Sequence, residues 1–113
     1  MANIFSHINF CNGKLSATKA VLLLYVPLED QKHNLFEDIL QVSYTSKDLI
    51  YVLDIGWHSE DFEVSKDSFF AVKVIVNEDW SNLLYYKKAS SVIELKNLME
   101  TAISLITKQL AQV

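Results

Sequence analysis

The chain contains very little glycine, proline or cysteine, and it has no arginine. Its 113 residues include two glycines, one proline and one cysteine, while 50% of them are hydrophobic. This composition excludes a disordered or low-complexity chain and indicates one globular domain over residues 1–113. Because Cys11 is the only cysteine, no disulfide can form within the chain, and we expect a reducing, cytoplasmic location.

Long apolar runs are absent as well. The longest one, residues 20–26, stops at Pro27, whereas a helix that spans a membrane needs about 20 apolar residues. The chain also starts without the basic and apolar stretches of a signal peptide. These absences predict a protein that does not have a membrane as its partner.

The charge of the chain is acidic and unevenly distributed. All ten basic residues are lysines, and the formal net charge is −4. Proteins that bind nucleic acids rely on arginine for phosphate and guanine, so neither DNA nor RNA is an expected partner. Residues 54–79 hold seven acids and two lysines, a net charge of −5. This stretch is expected either to attract a basic partner or simply to keep a surface solvated.

Apolar alternation predicts strands in the second half of the chain. Residues 49–57 alternate between apolar residues on one face and Asp54 and Gly56 on the other, as a half-buried strand does. Residues 69–76 are apolar on both faces except at Lys73, which is typical of a central strand. The other elements of this half are a long polar loop, a turn and a short third strand, at residues 58–68, 77–82 and 83–86.

A long helix is predicted over residues 91–111. Ser91 and Glu94 have the spacing of a capping box, in which both side chains satisfy backbone N–H groups at the start of a helix. Apolar residues then recur at helical spacing and form one stripe. Its members are Val92, Leu95, Leu98, Met99, Ala102, Leu105, Ile106 and Leu110.

The first half of the chain has weaker patterns. Apolar spacing predicts a short helix near residues 31–44, and residues 20–26 fit either a buried strand or a helix. Asn12-Gly13 is a hairpin signal, which predicts that a strand over residues 4–10 turns back into a second strand. The whole is therefore expected to be α+β: an antiparallel sheet of three to five strands with helices packed on one face and a long C-terminal helix.

Reactive side chains are scattered along the chain. His58 stands beside Glu60 and Asp61, but this spacing matches no metal-binding motif. His7 and Cys11 would pair as base and nucleophile if they shared a helical face, and we expect a strand there. Two glycines cannot build a phosphate-binding loop. We therefore expect no enzymatic activity, no metal and no cofactor, with a small enzyme as the minor alternative.

The two tryptophans carry the most information about function. Trp57 ends a strand, where it serves either as a core residue or as an interface residue. Trp80 lies between Asp79 and Ser81 in a polar turn and is harder to bury. An aromatic side chain ringed by charges is a frequent anchor at protein interfaces, so Trp80 is a candidate binding residue.

Three runs in the second half form a pattern with the C-terminal helix. They are YVLDIGW at 51–57, FFAVKVIV at 69–76 and DWSNLL at 79–84. Over residues 48–110 the chain resembles small bacterial immunity proteins of polymorphic-toxin and contact-dependent growth inhibition systems. The resemblance implies a protein without activity of its own that binds one cognate toxin, often a nuclease, and covers its active site.

The resemblance and the acidic charge together define a predicted binding surface. A nuclease groove is basic because it holds phosphates, and an acidic inhibitor can match that charge. The expected toxin-binding residues are Asp54, Trp57, His58, Glu60, Asp61, Glu63, Glu78, Asp79 and Trp80. The alternative binding function is that of a secretion chaperone, usually a dimer, which takes an unfolded effector protein into a hydrophobic groove.

Overall fold

Strands that follow one another along the chain are neighbours in one antiparallel sheet. The computed structural model describes residues 3–18, 21–59, 64 and 66–111, the side chains of 16–18 excepted. Within these residues the sheet has five strands in the order β1-β2-β3-β4-β5. They are β1 Lys14–Thr18, β2 Leu40–Ser46, β3 Leu49–His58, β4 Phe69–Val76 and β5 Leu83–Ala89. With the helix described next, this is the α+β fold that the sequence predicts.

One face of the sheet is covered by the helix α1, Val92–Ala111, which packs over β3, β4 and β5. The helix starts where the capping box predicts it. The Ser91 Oγ accepts a hydrogen bond from the Glu94 N–H at 3.2 Å, and the Glu94 carboxylate accepts one from the Ser90 N–H at 3.1 Å. Four residues of the stripe have no exposed surface: Leu95, Met99, Ala102 and Ile106.

We call the helix-covered side of the sheet the inner face. Strand register aligns its residues in rows, since Val42 pairs with Leu53 and Leu53 with Val74. The core contains these side chains and most of the α1 stripe, joined by apolar residues from the start of the chain. The contributors from that region are Ile4, Phe5, Ile8 and Leu22. Leu105 of the predicted stripe is not in the core, whereas Ile103, which was not predicted, is buried there. In the described part of the chain, no helix is both long enough and apolar enough to cross a membrane.

The helix predicted near residues 31–44 is wrong. A 3₁₀ helix, Leu28–Asn34, ends before this stretch is complete, and β2 begins at Leu40. Within β2, the buried residues Val42 and Tyr44 alternate with more exposed ones. This alternation has the period of two that a strand requires. Hydrogen bonds to β1 on one side and to β3 on the other satisfy the backbone groups of β2.

The start of the chain also differs from the prediction. A 3₁₀ helix, Ile4–His7, stands where a strand was expected. The turn that leads into β1 lies one residue earlier than Asn12-Gly13, because Cys11 and Asn12 hold φ angles of 52° and 70°. The Gly13 N–H closes this turn on the Phe10 carbonyl at 3.0 Å.

Residues 21–26 form neither of the two elements considered for them. Only an isolated bridge, Asn3 to Leu23, ties this segment to another part of the described chain in strand fashion. Hydrogen bonds to the buried side-chain amide of Gln31 hold this segment in place of strand pairing. Its Oε1 accepts from the Leu23 N–H at 2.9 Å, and its Nε2 donates to the carbonyls of Leu23 at 2.9 Å and Val26 at 2.8 Å.

Candidate interaction surface

The side of the sheet opposite α1, which we call the outer face, carries alternate residues of β2 to β5. Its side chains are not members of the core cluster. Ala71 and Ile75 are buried on it, 1% and 0% exposed, while Ile50 and Tyr86 are 39% and 43% exposed. Two large side chains, those of Ile50 and Tyr86, therefore remain partly accessible to a partner on this face.

Strand register arranges the outer face in rows that run across the strands. An aliphatic row joins Val52, Ile75 and Leu83, with Ser43 at its β2 end and an irregularity in the register before Leu83. The next row, which we call the charged row, joins Gln41, Asp54, Lys73 and Tyr86. Two further rows lie on its other side, Gly56-Ala71-Lys88 and His58-Phe69, and beyond the aliphatic row Thr45 pairs with Ile50. The character of the face thus changes along the strands from aliphatic, through charged, to aromatic and cationic.

Polar contacts hold the side chains of the charged row in place. The Gln41 Nε2 donates to the Asp54 Oδ1 at 3.0 Å. The Lys73 Nζ lies 5.5 Å from the centre of the Tyr86 ring. Burial raises the pKa of Asp54, even though the Gln41 hydrogen bond and the charge of Lys73 act to lower it. The carboxylate is therefore partly desolvated on the outer face.

At the far end of the outer face, Phe69 lies between two cationic or protonatable groups. The His58 ring stacks on it with the ring centres 5.2 Å apart and the planes 21° apart. The Lys88 Nζ lies 4.4 Å from the centre of the same ring. These contacts make His58 part of a packed aromatic cluster.

Gly56 is required by the chain that enters β2. The Trp57 N–H donates to the Phe36 carbonyl at 2.8 Å, and the Ile39 N–H donates to the Ile55 carbonyl at 2.9 Å. Between these two bonds the Glu37 carbonyl oxygen is pressed against Gly56, where a Cβ would collide with it. Only glycine fits this close approach.

The turn between β4 and β5 is fixed to the neighbouring strand. Asn77 and Glu78 hold φ angles of 53° and 62°, and the Asp79 N–H closes the turn on the Val76 carbonyl at 3.1 Å. The Asn77 N–H donates to the Ile50 carbonyl at 2.8 Å, and the Asn77 Oδ1 accepts from the Ile50 N–H at 2.9 Å. Asn77 therefore ties the turn to the first residues of β3.

Trp80 projects from a second turn that follows directly. The Asn82 N–H donates to the Asp79 carbonyl at 3.2 Å, and the Asp79 Oδ1 accepts from the Ser81 Oγ at 2.6 Å. The Trp80 side chain is 55% exposed, and its neighbours Glu78 and Asp79 are exposed as well. We call Ile50, Glu78, Asp79 and Trp80 the turn-end patch.

The predicted toxin-binding residues do not form a single patch. Asp54 lies in the middle of the outer face and His58 at one end of β3, whereas Glu78, Asp79 and Trp80 lie beyond the other end. Eight residues of extended strand, roughly 26 Å, separate His58 from the turn-end patch. Glu60, Asp61 and Glu63 lie outside the described residues.

Trp57 belongs to the core instead of the surface. Its side chain is 5% exposed and packs edge-on against Phe70, with ring centres 4.8 Å apart and an interplanar angle of 64°. Its remaining surface borders a cavity of about 300 Å³ that Leu35 and Phe36 also line. The indole is thus not available as an anchor, and we remove Trp57 from the proposed binding residues.

Several outer-face residues were not among the predicted binding residues, namely Ile50, Phe69, Tyr86 and Lys88. The same alternation that places Leu53 and Ile55 on the inner face places Ile50 and Asp54 on the outer face. Alternate positions along each strand could therefore have identified the outer-face residues from the sequence. The described residues hold no group of three or more histidine, cysteine or acidic side chains arranged to bind a metal ion. No family model, curated protein or solved structure matches the chain.

Proposed function

We propose that this chain is an immunity protein that binds a cognate bacterial toxin and occludes its active site without performing catalysis itself. A nuclease is the toxin class that best suits its acidic character. The observation that carries the proposal is the turn-end patch, in which an exposed indole stands among exposed acids on a fixed turn.

The indole of Trp80 suits an anchoring role for two reasons. Burying its exposed part, on the order of 100 Å², contributes about 2.5 kcal/mol to binding. The turn beneath it is held by Asn77 and by the Asp79 side chain. The backbone of the turn therefore loses little conformational entropy on binding, which is the advantage of a preorganised contact.

The acids beside Trp80 suit a basic partner. Glu78 and Asp79 are exposed, so their charges steer an approaching partner more than they stabilise the final complex. A groove that holds phosphates carries the complementary positive charge. Asp54 is less suitable for such a contact because its carboxylate accepts a hydrogen bond from Gln41 within the outer face.

The test first looks for a toxin domain in the open reading frame directly upstream of this chain's gene. With that domain purified, association and dissociation rates are measured at two salt concentrations. Trp80→Ala should raise the dissociation rate about 30-fold, the loss expected of a hot-spot residue. Glu78→Lys should instead slow association and flatten its salt dependence. The matched control is Tyr25→Ala, since Tyr25 is 91% exposed and lies outside the patch; both rates should stay within about twofold of the wild type.

Two outcomes would count against the proposal. One is a folded Trp80→Ala protein whose dissociation rate is no different from that of the Tyr25→Ala control. The other is a loss of binding that only charge reversal of Glu60 and Asp61 causes. That result would place the toxin at the 58–68 segment and leave the turn-end patch without a role.

A secretion chaperone is the second candidate, favoured by exposed apolar residues on the edge strand β5. Leu84 and Tyr86 there are 40% and 43% exposed. An unfolded effector needs a continuous apolar groove, however, and the Asp54 and Lys73 side chains interrupt the outer face. Hydrogen exchange of the bound partner separates the two functions: a toxin stays protected in the complex, whereas a chaperoned effector exchanges as an unfolded chain does.

A further inference from the structure

We infer that the free edge of β5 is a surface for self-association, along which β5 of a second copy of this chain pairs antiparallel and joins the two sheets into one. The observation that carries the inference is the charge at the two ends of this strand, because acids precede β5 and lysines lie near its end. The inference concerns only copies of this chain and does not depend on a toxin.

The edge of β5 is open in the part of the chain that the structure describes. β5 is the last strand in the sheet order, and among the described residues no hydrogen bond beyond its pairing with β4 reaches Leu83–Ala89. Its outward N–H and C=O groups therefore form a template for another strand. The opposite edge is less suitable, because β1 has five residues and its register shifts between Leu15 and Ala17. Short and irregular edges disfavour pairing.

The middle of β5 presents uncharged side chains to such a partner. Leu84 and Tyr86 are 40% and 43% exposed, and Tyr85 between them is half-buried. An antiparallel copy centred on Tyr86 uses the whole length of the strand. It sets Tyr86 opposite its own equivalent and Leu84 opposite Lys88, so that aromatic, aliphatic and lysine methylene groups bury apolar surface together.

The charges around β5 select the antiparallel direction. Glu78 and Asp79 are exposed in the turn before the strand, and Lys87 and Lys88 are exposed near its end. Antiparallel pairing brings the lysines of each copy to within about three residues of strand, roughly 10 Å, of the acidic turn of the other copy. A parallel copy would instead set lysines beside lysines, which like-charge repulsion disfavours. Lysines on an edge strand protect it from indiscriminate pairing, and here they favour one partner and one direction.

Two of these charged groups are uncommitted in the described structure. The side chains of Glu78 and Lys87 form no hydrogen bond or ion pair among the described residues. At low salt their attraction across the pairing is little screened at this separation. Seven residues of strand pairing bury less than the ~800 Å² per partner of a standard interface. We therefore expect a weak dimer that forms as the protein concentration rises and that dissociates as salt is added.

The test is a charge swap, measured by sedimentation equilibrium of the protein alone at low salt. Lys87→Glu and Glu78→Lys should each raise the dimer dissociation constant about tenfold, because each turns two attractions per dimer into repulsions. An equimolar mixture of the two variants should recover a heterodimer, since opposite charges then meet at both ends. Lys108→Glu, an exposed site on α1, changes the net charge as Lys87→Glu does and should dimerise like the wild type.

Hydrogen exchange of the wild type locates the contact without any substitution. Raising the protein concentration should protect amides of β5 and leave those of β1 unchanged. A wild type that stays monomeric at millimolar concentration would overturn the inference, as would folded variants that fail to associate when mixed. Protection that develops elsewhere and not in β5 would overturn it as well.

Discussion

The two faces of β3 place neighbouring residues in opposite environments. Leu53 and Ile55 are 0% exposed beneath α1, whereas Asp54 between them lies half-buried on the outer face beside Gln41 and Lys73. The inner face is closed by α1, whereas Asp54 and Lys73 on the outer face are only partly buried. Folding therefore constrains the inner set of alternate residues tightly and leaves part of the outer set accessible.

The largest expected effect comes from emptying the inner face. Leu53→Ala should lower the free energy of unfolding by about 2–5 kcal/mol, because it leaves a cavity under the helix. Val52→Ala, one residue away on the outer face, should cost less than about 1 kcal/mol because Val52 is only partly buried. Urea denaturation of both variants measures the contrast. Equal losses would mean that a layer covers the outer face as well.

The next effect tests the close approach of the Glu37 backbone to Gly56 on the outer face. Gly56→Ala introduces a Cβ against the Glu37 carbonyl and should cost about 1–3 kcal/mol of unfolding free energy. Thr45→Ala, an exposed outer-face position on β2, is the control and should change stability by less than about 0.5 kcal/mol. Thermal unfolding of both proteins suffices, and a harmless Gly56→Ala would contradict the close approach.

A smaller effect is expected at the start of α1, which closes the inner face. Ser91→Ala removes the acceptor of the Glu94 N–H and should cost about 1 kcal/mol. Ser90→Ala retains the backbone N–H that donates to Glu94, so its stability should remain close to that of the wild type. If the two variants lost equal stability in urea, the cap would not lie at Ser91.

The smallest effect concerns the pH dependence of the charged row. Burial holds the pKa of Asp54 above its ordinary value of 3.8. A carboxyl group with a higher pKa in the folded state favours folding in its protonated form, so this contribution is present below pH 3.8 and is lost as the pH rises through the folded pKa. Asp54→Asn cannot ionise and should therefore gain stability relative to the wild type between about pH 3 and 7. The unfolding free energies of both proteins at several pH values check this. If Asp54 were solvated, the difference between the two proteins would stay constant with pH.

Strong periodicity made the later elements predictable. The strand predicted at 69–76 matches β4, and the helix predicted at 91–111 begins within one residue of α1. β5 extends to Ala89, beyond the predicted end at 86, because an edge strand accommodates lysines that would be unusual in a central one.

The first half could not be read in the same way because its contacts are not local. Leu35, Phe36, Ile39 and Leu40 have the spacing of an amphipathic helix, yet pairing with β1 and β3 extends the chain from Leu40 onward. The Gln31 side-chain amide and the Asn3 Oδ1 bind backbone groups 8 and 19 residues away. No sequence period signals side-chain contacts of this kind.

The candidate site was predictable to a similar extent. The acids around Trp80 indicated that it would be hard to bury, and it is 55% exposed. The burial of Trp57 depends on Phe70, a partner from another strand. The hydrogen bond between Asn77 and Ile50 joins residues 27 positions apart, so neither contact could be derived from local composition.

The strand order has a consequence for the speed of folding. Among the described residues every strand pairs only with its neighbours in sequence, and two residues suffice to connect β2 with β3. So short a loop closes with little loss of entropy, which favours early formation of the β2-β3 hairpin. We therefore expect substitutions in this hairpin to alter the folding rate more than substitutions in β1 do, because β1 lies 21 residues before β2.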